Sequence, residues 1–239
     1  MSASIGILGG MGPRATIEFE ARLVDRFVGN DQSIPTIITI NDGSIPDRSM
    51  YLQGMGTDPV PRLLQRALDL QMFGVDIIAM PCNTACAPQI YDRLIAFLAT
   101  PVINIPQVTV EYILDNSMQN IALLGTSGTI QSHNFQNRLI SKNINFIVPS
   151  KDVQQIVDKL IRSIKAAKLD SASLNIVKQF VANSGAGAVI LGCTELPIVK
   201  DALLPAGVLG IDTIDILVEA CMDYTKNKGG SRCYQTSTL

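Results

Sequence analysis

The chain alternates short, almost wholly apolar runs with longer amphipathic ones. Apolar runs over Ser4–Gly9, Thr36–Asn41, Asp76–Pro81, Val102–Asn104, Asn120–Gly125, Asn145–Val148, Ala188–Gly192 and Val208–Gly210 predict strands. Between them, apolar positions recur at helical spacing over Ala15–Val28, Val60–Phe73, Pro88–Ala99, Val108–Ser117, Thr129–Ser141, Lys151–Ala166, Ser171–Asn183 and Ile214–Thr225. Strands that are apolar on both faces and alternate with helices belong to parallel sheets covered on each side, so the fold class is α/β. The stretch from Lys226 to Leu239 carries no periodic pattern and adds nothing to that fold.

The pattern also repeats. Ile5-Gly6-Ile7-Leu8-Gly9-Gly10-Met11-Gly12 is matched by Ile121-Ala122-Leu123-Leu124-Gly125-Thr126-Ser127-Gly128, each an apolar strand running into a Gly-x-x-Gly turn. The run from Gly74 through Ile77-Ile78-Ala79 to Pro81-Cys82-Asn83-Thr84 is matched by that from Gly185 through Val189-Ile190-Leu191 to Gly192-Cys193-Thr194-Glu195. Val102-Ile103-Asn104-Ile105 is matched by Val208-Leu209-Gly210-Ile211. Three landmarks in one order predict two similar α/β halves of about four strands each, facing each other across a pseudo-two-fold axis. The expected division is 1–100 plus 208–239 for the first half and 101–207 for the second, with the active site in the cleft between them.

Composition narrows the chemistry. Of 239 residues, 47% are hydrophobic and 17% charged, which excludes disorder as the main state. A net charge of −2 does not supply the basic face that nucleic-acid binding needs. No apolar run is long enough for a membrane span. The first charged residue is Arg14, so the start lacks the positive region of a secretory signal and a cytoplasmic location is expected. The single histidine, His133, excludes sites built on several imidazoles. The five cysteines, Cys82, Cys86, Cys193, Cys221 and Cys233, are odd in number and read as free thiols. Cys82 and Cys86 are four apart, but a zinc site needs more ligands than the chain offers beside them. Gly9–Gly12 lacks the G-x-G-x-x-G spacing of a dinucleotide fingerprint.

In doubly wound α/β units, ligands bind beyond the C-terminal ends of the strands. Cys82 and Cys193 hold that position in their respective halves. Facing each other, two thiols could remove a proton from one side of a carbon and return one to the other. A thiol has a reference pKa of roughly 8.5, which a helix N-terminus lowers, and a base titrating near the working pH is the effective one. The plain alternative is that both are small buried hydrophobes at strand ends.

Gly9-Gly10-Met11-Gly12-Pro13-Arg14-Ala15-Thr16, Ile45-Pro46-Asp47-Arg48, Pro81-Cys82-Asn83-Thr84-Ala85 and Gly192-Cys193-Thr194-Glu195-Leu196 resemble the signature segments of the cofactor-independent aspartate/glutamate racemases. The resemblance runs from Ile5 to about Tyr224. It implies two Rossmann-like domains, a homodimer, a small acidic amino acid as substrate and no pyridoxal phosphate. It also implies that Cys82 and Cys193 are the opposed acid and base. Glu195 after Cys-Thr, where the glutamate racemases have His, is similar to the aspartate branch. Cys86 stands where the family commonly carries His, which removes that residue as a partner of Cys82.

The same resemblance gives Arg48, in a predicted loop, the distal carboxylate of the substrate, a task that suits a guanidinium fork. It gives Lys165 a share of that task, with Lys168 as a competitor; the plain reading of Lys165 is a cation at a helix C-terminus. Asn83, Thr84 and Thr194 can donate to the α-carboxylate or simply cap helices. Thr126, Ser127 and Thr129 form a second donor-rich turn, and Met11 lies in the first. Cys221 falls on an apolar helix face and His133 on a polar one. Two rival functions share these residues: another cysteine-dependent isomerase or decarboxylase of a related diacid, and a silent protein that binds acidic amino acids.

Overall fold

The computed structural model describes residues 3–27, 32 and 34–226. Cys233 lies outside them. The first half contains β1 (Ile5–Gly9), α1 (Pro13–Asp25), β2 (Ile37–Asn41), α2 (Arg48–Leu52), α3 (Val60–Met72), β3 (Ile77–Ala79), α4 (Pro88–Ile95) and α5 (Ile105–Asp115). The second contains β4 (Ile121–Gly125), α6 (Ser127–Gln131), α7 (Asn134–Ser141), β5 (Phe146–Ile147), α8 (Lys151–Lys165), α9 (Ser171–Asn183), β6 (Ala188–Gly192), α10 (Lys200–Leu203), β7 (Leu209–Asp212) and α11 (Thr213–Lys226). All pairing is parallel, in the orders β2-β1-β3 and β5-β4-β6-β7. The expected repeat is therefore present in the topology: β1 and β4 are central, with β3 and β6 beside them.

Among the described residues, the first sheet has three strands rather than four. The run expected as a strand at Val102–Asn104 makes one isolated bridge, Val102 to Ile78, in the place that β7 fills beside β6. The sequence explains the shortening. Pro101 has no N–H to give, and Asn104 already caps α5 by accepting from the Gln107 N–H at 3.1 Å. Only two residues are left between them. The predicted helix Thr129–Ser141 is likewise broken into α6 and α7, because His133 adopts a left-handed backbone (φ 54°) and N-caps the second piece.

The segment 208–239 is expected to rejoin the first half; of it, the described residues 208–226 divide between the two, and 227–239 lie outside the described residues. Leu209–Asp212 pairs with β6, while α11 packs against α1 and α5. Asp212 turns the chain: its carboxylate accepts from the Ile214 N–H at 2.8 Å, and Arg22 on α1 binds both Asp212 (2.7 Å) and Asp215 (3.0 Å). Helix α5 crosses the other way and packs on α7. The halves thus exchange their last helices, and one apolar core runs from Ile5, Ile7 and Ile78 through Val110 and Ile113 to Leu123, Leu139, Leu217 and Cys221. The opposite face of the second sheet has its own core, where Ala122, Leu124, Val189 and Leu191 meet Val157 and Leu160 of α8 and Val177 of α9. Alternate residues of β4 feed the two cores, as strand periodicity requires. Among the described residues, no helix is long and apolar enough to cross a membrane.

Candidate active site

The strand ends open onto one cleft. It is lined by Met11, Asp47, Arg48, Ser49, Cys82, Asn83, Thr84, Thr126, Lys165, Gly192, Cys193, Thr194 and Glu195, and holds about 350 Å³ of empty space including its mouth. Both expected cysteines are in it, each 6% exposed. Of the other expected residues, Met11, Arg48, Asn83, Thr84, Thr126, Lys165 and Thr194 are there too.

Ser127 and Thr129 are not. The Ser127 N–H donates to Asp158 on α8 at 2.9 Å, and its hydroxyl donates to the same carboxylate. It faces a wider opening outside the cleft that also carries Lys151 and Arg162. Thr129 is buried one layer back, its hydroxyl 3.0 Å from that of Thr84 and 3.1 Å from that of Thr126. Together with the contact between Thr84 and Thr126 (3.1 Å) and that from Ser49 to Thr126 (3.2 Å), these hydroxyls join the first half to the second.

The two Gly-x-x-Gly turns make the same junction at closer range. A Cβ on Gly12 would lie 2.9 Å from Glu195 Oε1, and one on Gly128 would lie 2.8 Å from Ser49 Cα. Each turn ends in the residue that lets the opposite half approach, so both glycines are used for proximity to another group.

Arg48 is the first residue of α2, not a loop residue. Asp47 caps that helix by accepting from the Met50 N–H at 2.9 Å. The guanidinium is held by three carbonyls, Ile45 (3.3 Å), Pro46 (3.0 Å) and Met11 (2.7 Å), which leaves Nε buried without a partner among the described residues. Lys165 closes α8 and reaches the cleft with its side chain 42% exposed, whereas Lys168 does not line it.

Glu195 is the residue that sequence reasoning passed over as a site member. It is 7% exposed, accepts from the Cys193 thiol at 2.9 Å and the Thr194 hydroxyl at 3.2 Å, and lies 3.6 Å from Lys165 Nζ. Its position two residues after a strand-end cysteine was the available signal. Burial, and then the Glu195 charge, push the Cys193 thiol well above its ordinary pKa, with Lys165 pulling the other way. That reverses the lowering expected from a helix N-terminus. Each cysteine is followed by a short 3-10 turn, Thr84–Cys86 or Leu196–Val199, rather than by an α-helix. Burial opposes the charge on Lys165, but Cys193, Glu195 and Cys82 outweigh it and raise the ammonium's pKa. Cys86 is fully buried outside the cleft, and desolvation pushes it up to about 12, the state of an inert thiol. Cys221 lies in the core and His133 on the surface, as their patterns suggest.

Among the described residues, no three His, Cys, Asp or Glu side chains are grouped to hold a metal ion. What the cleft offers is two thiols, two cations, four hydroxyls, the Asn83 amide and two carboxylates, of which Glu195 accepts a hydrogen bond from one thiol. Similar chains carry related chemistry in their names. The broad specificity amino-acid racemase RacX of Bacillus subtilis (strain 168) is 31% identical over 167 residues, 67% of this chain and 70% of that protein. The glutamate racemase of Persephonella marina is 28% identical over 141 residues, 59% of this chain and only 54% of that protein. The Picrophilus torridus aspartate racemase superposes with a TM-score of 0.80 at 26% identity, covering 94% of both chains. The Asp/Glu/hydantoin racemase profile matches residues 8–221, and the chain belongs to that family.

Proposed function

We propose that the protein racemises an acidic amino acid, aspartate in preference to glutamate, by exchanging protons between Cα and two thiols without pyridoxal phosphate. The observation that carries this reading is that Cys82 and Cys193, from equivalent strand ends of the two halves, line one small cleft with Arg48 and Lys165. The preference for aspartate rests on Glu195 in the Cys-Thr-Glu segment and on the likeness to the Picrophilus torridus aspartate racemase across nearly the whole chain. A homodimer is taken over from the family likeness alone.

In one direction the Cys82 thiolate takes the Cα proton. The Cα–H electron pair stays on carbon and delocalises into the α-carboxylate. The Cys193 thiol then gives its proton to the opposite face, leaving Cys193 as the thiolate. In the other direction the roles exchange. Burial and Glu195 keep Cys193 protonated until that step, while Lys165 makes its thiolate less costly afterwards. Hydroxyls of Thr84 and Thr126 line the cleft and can stabilise the charge that grows on the carboxylate, where fixed dipoles are most effective, whereas the Thr194 hydroxyl is already given to Glu195. Arg48, immobilised by three carbonyls, and Lys165 hold the distal carboxylate, so binding energy remote from Cα orients the reacting carbon.

Incubation with L-aspartate in deuterated water, with no added cofactor, tests this reading. D-aspartate carrying deuterium at Cα is the expected product. An unchanged substrate retaining its α-hydrogen would overturn it.

A further inference from the structure

Asn83, beside Cys82, is 4% exposed and lines the cleft. Its orientation is fixed from behind. Thr213, the fully buried first residue of α11, donates its hydroxyl proton to the Leu191 carbonyl on β6 at 3.0 Å. A hydroxyl has one proton, and a carbonyl can only accept. With that proton committed, Thr213 Oγ1 can only accept from the Asn83 side chain, 2.9 Å away. The amide nitrogen must therefore face Thr213. The amide oxygen faces elsewhere, buried and without a partner among the described residues. An unsatisfied buried acceptor costs on the order of 1–3 kcal/mol, a cost that an incoming donor removes.

The substrate proposed above brings two carboxylates, which accept, and one ammonium, which donates. Among the described residues, Asn83 Oδ1 is the buried side-chain acceptor of the cleft that has no partner, whereas the two carboxylates there have contacts of their own. Glu195 Oε2 receives Cys193 and Thr194 while its Oε1 faces Lys165, and Asp47 is exposed and caps α2. We infer that Asn83 Oδ1 accepts a hydrogen bond from the α-ammonium of the substrate, and that Thr213 is the positioning residue that aims it. This rests on the racemase reading but changes one contact within it: the Asn83 side chain reads nitrogen instead of donating to the α-carboxylate. Its place beside Cys82 fits, because the ammonium is borne by the carbon that gives up the proton. Diacids such as succinate, which carry no donor at that carbon, lose this contact.

Calorimetric Kd values for aspartate and for succinate, which has the same two carboxylates and no ammonium, provide the test. Thr213→Val should raise the Kd for aspartate at least tenfold and change that for succinate less than twofold. Thr213→Ser, which keeps the hydroxyl, should restore the wild-type ratio. Asn83→Leu should reproduce the Thr213→Val pattern and serves as the second variant should Thr213→Val fail to fold. Parallel losses for both ligands, or no change in either, would overturn the inference while leaving the racemase reading intact. Failure of the wild-type protein to bind aspartate would instead remove the racemase reading, and this contact with it.

Discussion

Cys82 and Cys193 occupy equivalent places in a duplicated fold and are equally buried, yet their surroundings differ. Cys82 is followed by Asn83 and Thr84, neutral groups tied into the junction between the halves. Cys193 is followed by Thr194 and Glu195, and its thiol donates to a carboxylate that also draws Lys165. The repeat gives the two cysteines equivalent strand-end positions, and the residues that follow each give them unlike surroundings. In the proposed reaction either thiol can begin as the base, and the Glu195 charge beside Cys193 biases that thiol toward its protonated form.

The largest effect should come from removing either sulfur. Cys82→Ser and Cys193→Ser replace a thiol by a hydroxyl far too weak to act as acid or base near neutrality, and such roles are worth roughly 10²–10⁴-fold in rate. Each variant should lose racemisation by that factor in a coupled polarimetric assay. Full activity in both would end the two-thiol reading. Full activity in one would show that the two halves differ by more than electrostatics.

Glu195→Gln sharpens the comparison at its centre, with a loss of about tenfold expected in the working range. The negative charge of Glu195 raises the Cys193 pKa, so its removal lowers it, and the remaining Lys165 pulls it further down. In the direction where Cys193 is the acid, activity persists only while that thiol is protonated. The basic limb of the kcat/KM profile should therefore move to lower pH in Glu195→Gln. Cys193→Ser cannot mimic this shift, and an unmoved basic limb would remove Glu195 from the control of Cys193.

How much of this was legible beforehand depended on distance along the chain. Both cysteines, the Gly-x-x-Gly turns and the strand runs were readable because an apolar strand followed by a small-residue turn is a local pattern. The aborted strand at Val102 was locally legible as well, since Pro101 and the Asn104 cap bracket it, but its likeness to Val208–Ile211 hid the signal. Ser127 looked like a substrate donor, and only the fold shows that Asp158, thirty-one residues on, has claimed it. The relay from Leu191 through Thr213 to Asn83 spans 130 residues at its longer step and leaves no trace in local sequence. Charged partners two residues apart, such as Cys193 and Glu195, lie between these cases: visible, but without meaning until burial is known.

The smallest effects, and the finest version of the comparison, come from Gly12 and Gly128. Both are the last glycine of equivalent turns, and both admit the opposite half, but what they admit differs. At Gly12 an added Cβ meets the carboxylate tip of Glu195 at 2.9 Å, a group that can rotate away. At Gly128 it meets the backbone of Ser49, at the start of α2, at 2.8 Å. Backbone there cannot yield without moving Arg48, the next residue toward the chain start, and without stretching the hydroxyl contact from Ser49 to Thr126. Gly12→Ala should therefore leave Tm almost unchanged and act on kcat by disturbing Glu195. Gly128→Ala should cost stability of about 1–3 kcal/mol, as overpacking does, and raise the KM for aspartate several-fold by displacing Arg48, the proposed holder of the distal carboxylate. Thermal melts beside steady-state kinetics separate the two. Equal Tm losses would show that both turns press on rigid walls, and that the cleft is less asymmetric than the two cysteine neighbourhoods imply.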